Sequence, residues 1–421
     1  MYKHRLLAVK LKRLADYFPV VVLSGARQVG KSTLLRHLFP DLEAVVFDPA
    51  KDVGNARQDP DLFLDNHPAP IILDEIQYAP ELVSAIKRRV DLNRKPGSYI
   101  LTGSQQWSVM KSISESLAGR AVFATLEGFS LGEISGESGG VTWLGRWLAN
   151  PAEMMAHPPR CRNPARTLNE QLWRGWLPEA DSLPLDLLPD FHAAYLRTYL
   201  ERDVRMLAGV EDWQVFGRFV QLAAALTACE VNYSQLGRDI GVTPQTARRW
   251  LAMLRATFQW HEVPAYSGNA VKRISGKAKG YLADSGMACH LLQLSAPTAL
   301  SGHPQTGALF ESAVVAEIRK LCALESTAPA LYHWRSHGGA EVDLILERDG
   351  RLYPVEIKLT TNPSRKDTAG LTAFRKTYPH LNLAPGLVIT PGQSGQQPSL
   401  QKISEQDCAL SWQAGFAEAV L

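Results

Sequence analysis

Eight consecutive residues near the amino terminus, Gly25, Ala26, Arg27, Gln28, Val29, Gly30, Lys31 and Ser32, fit the pattern G-x-x-x-x-G-K-[ST], and Thr33 completes the loop. Each residue type has a task in gripping phosphates. The glycines let backbone N–H groups fold around phosphate oxygens, and a helix that starts there adds its partial positive charge. Lys31 is expected to reach the β- and γ-phosphates of a nucleotide, and the Ser32 hydroxyl to touch Mg²⁺. More chemistry follows in PAPIILDEIQ, Pro68 to Gln77. Asp74 is placed to hold the hydration shell of the Mg²⁺, and Glu75 to polarise an attacking water. The stretch SYILTGSQQ ends in the polar residues Thr102, Ser104 and Gln105, of which Ser104 is the expected γ-phosphate sensor.

These groups need a frame. VVVLSG, before the loop, reads as a buried strand, and STLLRHLF, after it, as a helix; that is the context the pattern requires. Acids at the carboxyl end of a buried strand lie where open α/β sheets take ligands. With EAVVFD (Glu43 to Asp48, expected as another short buried strand), SYILTG and AVFATLEGF, five strands alternate with helices. They predict a doubly wound parallel sheet of the α/β class over residues 1–135. A loop and helical lid is expected over 136–220, with the Pro-rich stretch Asn150 to Ala165 as a boundary or exposed excursion. A winged-helix region follows over 221–290 and an α/β domain over 291–421.

The order GARQVGKST, ILDE, LTGS and SLAGR resembles AAA-type P-loop ATPases of bacteria and archaea. One family of these fuses the ATPase to a winged helix and a nuclease-like C-terminal domain, and is largely of unknown function. The resemblance implies ATP and Mg²⁺ as cofactors. It also implies an arginine finger for a neighbouring subunit's nucleotide. Arg120 in SLAGR matches that region, with an internal salt bridge as the alternative. An oligomer follows if Arg120 acts in trans. Gly175, Pro178 and Arg202–Asp203 match the family's turn and following helix, which makes Arg202 the second finger candidate.

YSQLGRDIGVTPQTARRWLAMLRA, Tyr233 to Ala256, has a helix–turn–helix cadence. Gly241 turns the chain, Thr243 can cap the second helix, and Pro244 suits its first position. Ala247, Leu251 and Leu254 fall on its inward face. FQWHEVPAY and KGYLAD read as two strands flanking a wing. Residues 231–280 carry eight Lys or Arg against two acids, an excess larger than the +3 of the whole chain. That concentration is the footprint expected of a DNA partner, with Arg248, Arg249, Lys272, Arg273, Lys277 and Lys279 as its contacts. The alternative is a winged helix that only packs on partner domains.

Near the far end, GALFESAVVAEIRKL is followed by GGAEVDLILERDGRLYPVEIKLT. The second piece reads as a hairpin, with Glu356 and Lys358 on one face of its second strand. Glu311, Asp343, Glu356 and Lys358 resemble the E…D…E-x-K constellation of the PD-(D/E)xK nuclease superfamily. Asp343 and Glu356 would offer hard oxygen ligands to a second Mg²⁺ or Mn²⁺. Glu311 would add a ligand, and Lys358 would activate water or neutralise developing charge. The alternative is the same fold used as a binding platform. His333 and His337 have no acid or Cys at ligand spacing and are not expected as ligands.

A chain of 421 residues suits two to four domains. Its five scattered cysteines argue against a zinc site or a disulfide scaffold and fit a reducing cytoplasm. No apolar run reaches the length of a membrane span. The expectation is therefore a cytoplasmic ATPase that couples nucleotide state to a conformational switch acting on DNA. An ATP-gated, metal-dependent DNA endonuclease and a signalling or assembly ATPase that binds proteins are the alternatives.

Overall fold

The computed structural model describes residues 2–48, 54–104, 116–137, 139–199, 210, 212–269, 271, 273, 276–392 and 399–416. Five parallel strands form the first sheet: β1 (Val20–Ser24), β2 (Glu43–Val46), β3 (Ile71–Asp74), β4 (Tyr99–Gly103) and β5 (Ala121–Thr125), in the order β2-β3-β4-β1-β5. β1, β3 and β4 are buried throughout, as continuous apolar runs covered on both faces must be. β2 differs from the sequence expectation: it is an edge strand and mostly exposed. The order matters for chemistry because β4 lies between β1 and β3. Leu23 and Leu73 pair with Thr102 and Leu101 respectively, so the polar end of β4 emerges between the phosphate-loop strand and the strand carrying Asp74.

The middle of the chain is helical, with Leu168–Arg174, Pro178–Ser182, Leu188–Thr198 and Trp213–Ala225. The helices Tyr233–Ile240 and Pro244–Ala256 follow, joined at Gly241, which takes the left-handed φ of 79°. Thr243 caps the second helix by accepting from the N–H of Thr246. Ala247, Leu251 and Leu254 are buried, as the helical period requires. A small antiparallel sheet completes this unit: β6 (Cys229–Glu230), β7 (Trp260–Val263) and β8 (Lys279–Leu282), ordered β6-β8-β7.

The last third is a seven-stranded mixed sheet. Its strands are β9 (Ala330–Arg335), β10 (Glu341–Arg348), β11 (Arg351–Ile357), β12 (Asn382–Leu383), β13 (Gly386–Thr390), β14 (Leu400–Lys402) and β15 (Asp407–Ser411). The order is β14-β15-β13-β11-β10-β9, with β12 beside β11. β10 and β11 are the expected hairpin. The helix Thr306–Leu324 is apolar nearly all round and correspondingly buried. It ties the C-terminal sheet to the first domain: Glu317 accepts from the N–H of Leu131 at 3.1 Å, Lys320 donates to Phe129 O at 2.7 Å, and Lys10 donates to Ala323 O at 2.6 Å. The Pro-rich segment is not a free excursion. Arg162 N donates to Gln413 O at 2.8 Å and Gly415 N to Arg160 O at 2.7 Å, so it packs along the C-terminal sheet.

Candidate nucleotide site and the C-terminal carboxylate cluster

The loop after β1 has the backbone a phosphate grip needs. Gly30 has a φ of 91° and Gln28 one of 59°. A Cβ on Gly25 would lie 2.1 Å from Leu126 O, so only glycine lets the loop pass the chain leaving β5. The buried Lys31 ammonium bonds Gly25 O at 3.0 Å and Ala26 O at 2.9 Å. Ser32 and Thr33 follow on the first turn of the helix Lys31–Leu38. Two residues with no sequence signal brace the loop. Arg5 is buried and donates to Val29 O and Glu127 O, both at 2.6 Å, while pairing with Glu133 at 3.1 Å. Tyr195 donates to Arg27 O at 3.4 Å. A cavity of about 390 Å³ opens beside the loop, walled by Ala26, Val29, Trp176, Tyr195, Gln259 and Lys320.

The acids lie in one hydrogen-bonded set, in which Asp74, Gln77, Thr102 and Ser104 are buried and Glu75 is half-buried. The Thr102 hydroxyl donates to Asp74 Oδ1 and accepts from the N–H of Glu75 at 3.0 Å. Glu75 sits at a left-handed φ of 61°, which turns its side chain out of the strand direction. The Gln77 amide donates to Glu75 Oε2 and to Ser104 Oγ at 3.2 Å. Sequence reasoning placed Asp74, Glu75 and Ser104 here but gave Gln77 no role and passed over Thr102. Both lie inside the stretches it singled out.

The finger candidates stand apart from this set. Arg120 precedes β5 at its amino-terminal end, and Ala121 is level with Val20 at the start of β1. It is thus a strand's length from the phosphate loop. Its guanidinium is held by Asp91, the internal ion pair named as the alternative. The Asp91 pairing raises the Arg120 pKa further. Arg202 and Asp203 lie outside the described residues, as does Gln105.

The basic face is smaller than the residue count implied. Arg248 and Arg249 are exposed on the helix Pro244–Ala256, with Arg248 5.9 Å from the Tyr233 ring, and Lys277 is exposed before β8. Arg273 instead turns inward. It pairs with Glu347 at 3.2 Å and lies 4.3 Å from the Tyr266 ring. Lys272 lies outside the described residues. Lys279, expected on the surface, is buried. Its ammonium pairs with Glu311 at 2.6 Å, Glu341 at 2.7 Å and Asp343 at 3.4 Å. The charge count was local in sequence, whereas the partners of Arg273 and Lys279 come from β10 and the helix Thr306–Leu324.

Glu311, Asp343, Glu356 and Lys358 do converge, but on lysines. Lys358 pairs with Glu356 at 2.7 Å and Asp343 at 3.3 Å, and Asp343 Oδ2 also accepts from the N–H of Ile357 at 2.9 Å. Tyr281 donates to Glu311 Oε1 at 2.9 Å. Burial, then the charge of Asp343, holds Glu356 well above the usual carboxylate range. Burial and Asp343 push Glu311 up to about 7 against the pull of Lys279. Burial would raise Asp343 too, but Lys279 and Lys358 keep it below its ordinary value. Both lysines are held above theirs, because their carboxylate partners outweigh burial. Gly370 brings helix backbone directly onto Glu356: a Cβ there would lie 2.1 Å from Glu356 Oε1. Among the described residues no three acidic, His or Cys side chains are grouped to hold a metal. The second metal expected here therefore does not fit the cluster as it stands. His333 is buried with its ring against Lys277 O at 2.9 Å.

A family model described as an AAA domain matches residues 17–135; domains of unknown function match residues 165–298 (DUF8612) and 306–405 (DUF4143). Residues 17–135 thus form an AAA-type P-loop ATPase domain. Uncharacterized protein Rv2008c of Mycobacterium tuberculosis and uncharacterized protein Mb2031c of Mycobacterium bovis are each 29% identical over 388 residues, covering 92% of this chain and 79% of theirs. Among solved structures, the Walker-type ATPase PABY2304 of Pyrococcus abyssi is 14% identical with a TM-score of 0.38, over 68% of this chain and 94% of that one. The Thermotoga maritima RuvB Holliday junction branch migration motor is 16% identical with a TM-score of 0.27, over 64% and 91%. No helix among the described residues is long and apolar enough to cross a membrane.

Proposed function

We propose that this chain binds ATP at the loop Gly25–Thr33, hydrolyses it, and passes the nucleotide state to its C-terminal half, which contacts DNA. The observation that carries the reading is the hydrogen-bonded set Asp74–Thr102–Glu75–Gln77–Ser104 at the carboxyl ends of β3 and β4, beside the strand that leads into the lysine-bearing loop. A serine hydroxyl and a carboxylate suit Mg²⁺, a hard cation that keeps several waters and takes phosphate oxygens. When bound, the ion offsets charge developing on the phosphates. Lys31 exchanges its two loop carbonyls for phosphate oxygens. Ser32 and Asp74 would hold the ion or its waters, and Thr102 keeps Asp74 oriented. Glu75 orients the attacking water. Gln77 joins Glu75 to Ser104, so a γ-phosphate contact at Ser104 is felt at the catalytic carboxylate.

The output surface is the exposed side of the helix Pro244–Ala256 in a winged-helix reading, with Arg248, Arg249 and Lys277 meeting phosphates. Arg120 reaches no nucleotide of its own chain. In an oligomer it would serve a neighbour only after release from Asp91. The test is nucleotide hydrolysis by wild type and Lys31→Ala, with DNA affinity measured across salt concentrations. A wild-type rate in Lys31→Ala removes the reading of the loop. Absence of salt-dependent DNA affinity removes DNA as the partner and leaves a protein in its place.

A further inference from the structure

The C-terminal cluster gathers four carboxylates from three elements. Glu311 comes from the helix Thr306–Leu324, Glu341 and Asp343 from β10, and Glu356 from β11. Carboxylates are hard oxygen ligands of the kind divalent cations take, yet as they stand no three among the described residues are grouped to hold one. What lies between Glu311, Glu341 and Asp343 is instead an ammonium delivered by a different sheet. Lys279 opens β8, and Tyr281, two residues on, shares its face of the strand. Both reach Glu311: Lys279 at 2.6 Å and Tyr281 at 2.9 Å from the same Oε1. An ammonium has three donors, and Lys279 faces three carboxylates within 3.4 Å. Lys358 covers the other side, against Asp343 and Glu356.

We propose that Lys279 is a built-in counter-ion that keeps divalent cations out of this carboxylate cluster, so that the cluster is a metal site held shut by β8. The seat is mutual. Withdrawing Lys279 leaves Glu311 and Asp343 buried with less compensation, and a +2 ion restores it. The ion cannot enter while the ammonium stays, because the two would share the same oxygens. The proposal does not depend on the nucleotide reading of the first domain.

The test is Mn²⁺ binding to the full chain without nucleotide, followed by electron paramagnetic resonance of the free ion. Variants are Lys279→Met, Asp343→Asn and the double substitution. Wild type is expected to show no Mn²⁺ site that Asp343→Asn removes. Lys279→Met is expected to gain one that the double variant loses. Two results overturn the proposal: wild type binding at Asp343 as tightly as Lys279→Met, or Lys279→Met gaining nothing. Should Lys279→Met fail to fold, acetylation of wild type by acetic anhydride decides. A seated Lys279 reacts at least tenfold more slowly than exposed Lys277, its neighbour in sequence. Equal rates overturn the proposal.

Discussion

Thr102→Val is the sharpest test of the nucleotide site, because it changes a hydroxyl to a methyl at nearly constant volume in a fully buried position. The hydroxyl does two things. It donates to the Asp74 carboxylate and accepts from the Glu75 N–H. A hydrogen bond to a charged group is worth about 1.5–3 kcal/mol, and a buried N–H left without a partner costs about 1–3 kcal/mol. These act on the two acids assigned to the metal and the water. If the loss of the first bond falls on the transition state, hydrolysis slows by roughly tenfold to a hundredfold at 1.36 kcal/mol per tenfold. Steady-state hydrolysis of ATP with Mg²⁺ reads this as a fall in kcat. Thr102→Ser keeps the hydroxyl and is expected within about threefold of wild type, allowing for a lost methyl. Thr102→Val within twofold of wild type, or Thr102→Ser as damaged as Thr102→Val, would refute the assignment of Asp74 and Glu75 through this bond.

Gln77→Ala frees Glu75 from Ser104 and is expected to lower hydrolysis while leaving ATP affinity within about twofold, since Gln77 bonds neither the loop nor Lys31; a loss confined to affinity would place Gln77 elsewhere in the cycle. Removing Arg248 and Arg249 together is expected to weaken DNA binding at all sequences and to reduce the slope of log affinity against log salt by about 1.8, at roughly 0.9 per phosphate contact; an unchanged slope assigns the contact to other residues. The pH dependence of stability has a defined sign. Glu311 is raised in the folded chain to about 7 from an ordinary value near 4.5. Its contribution is therefore fully present below about 4.5 and is lost as pH rises through 7, by up to about 3 kcal/mol. Chemical denaturation of wild type against Glu311→Gln from pH 5 to 8 reads this, and parallel curves would show that Glu311 is not raised by its surroundings.

The loop Gly25–Thr33 and the acids Asp74 and Glu75 stand out in the sequence because each is a contiguous motif read with its immediate neighbours. Thr102 and Gln77 were visible as polar residues, but their roles come from β4 being inserted between β1 and β3, a non-local pairing that no window of sequence contains. Arg5 carried no signal at all: it stands alone near the terminus and acts only where the loop and the chain leaving β5 meet. The eight basic residues of 231–280 misled for the opposite reason. Their count was correct, but charge in sequence does not say which way a side chain turns. Arg273 and Lys279 find acids on β10 and on the helix Thr306–Leu324, well beyond the segment whose charge was summed. The E…D…E-x-K pattern shows its acids, and the ammonium that answers them comes from β8 of a different sheet.

The strand that seats Lys279 also leads back to the nucleotide loop. β8 ends at Leu282, and Asp284 caps the helix Ser285–Leu291 by accepting from the N–H of Met287 at 2.9 Å. The same carboxylate accepts from the N–H of Trp176 at 2.8 Å. Trp176 O accepts from the N–H of Phe129 at 2.7 Å, beside the carbonyls of Glu127 and Gly128 that Arg5 binds together with Val29 O of the loop. Contact of this kind becomes coupling when one element has two arrangements that both sites bias. β8 is the element to test for this, because a buried lysine among three acids is costly to leave half seated. Were the loop to shift on taking phosphates, Arg5, Phe129 and Trp176 would carry the movement to Asp284, two residues after β8. The expected signature is acetylation of Lys279 that rises on adding ATP in wild type and is insensitive to ATP in Asp284→Ala. If ATP leaves Lys279 equally protected in both, the two centres share a fold without sharing a switch.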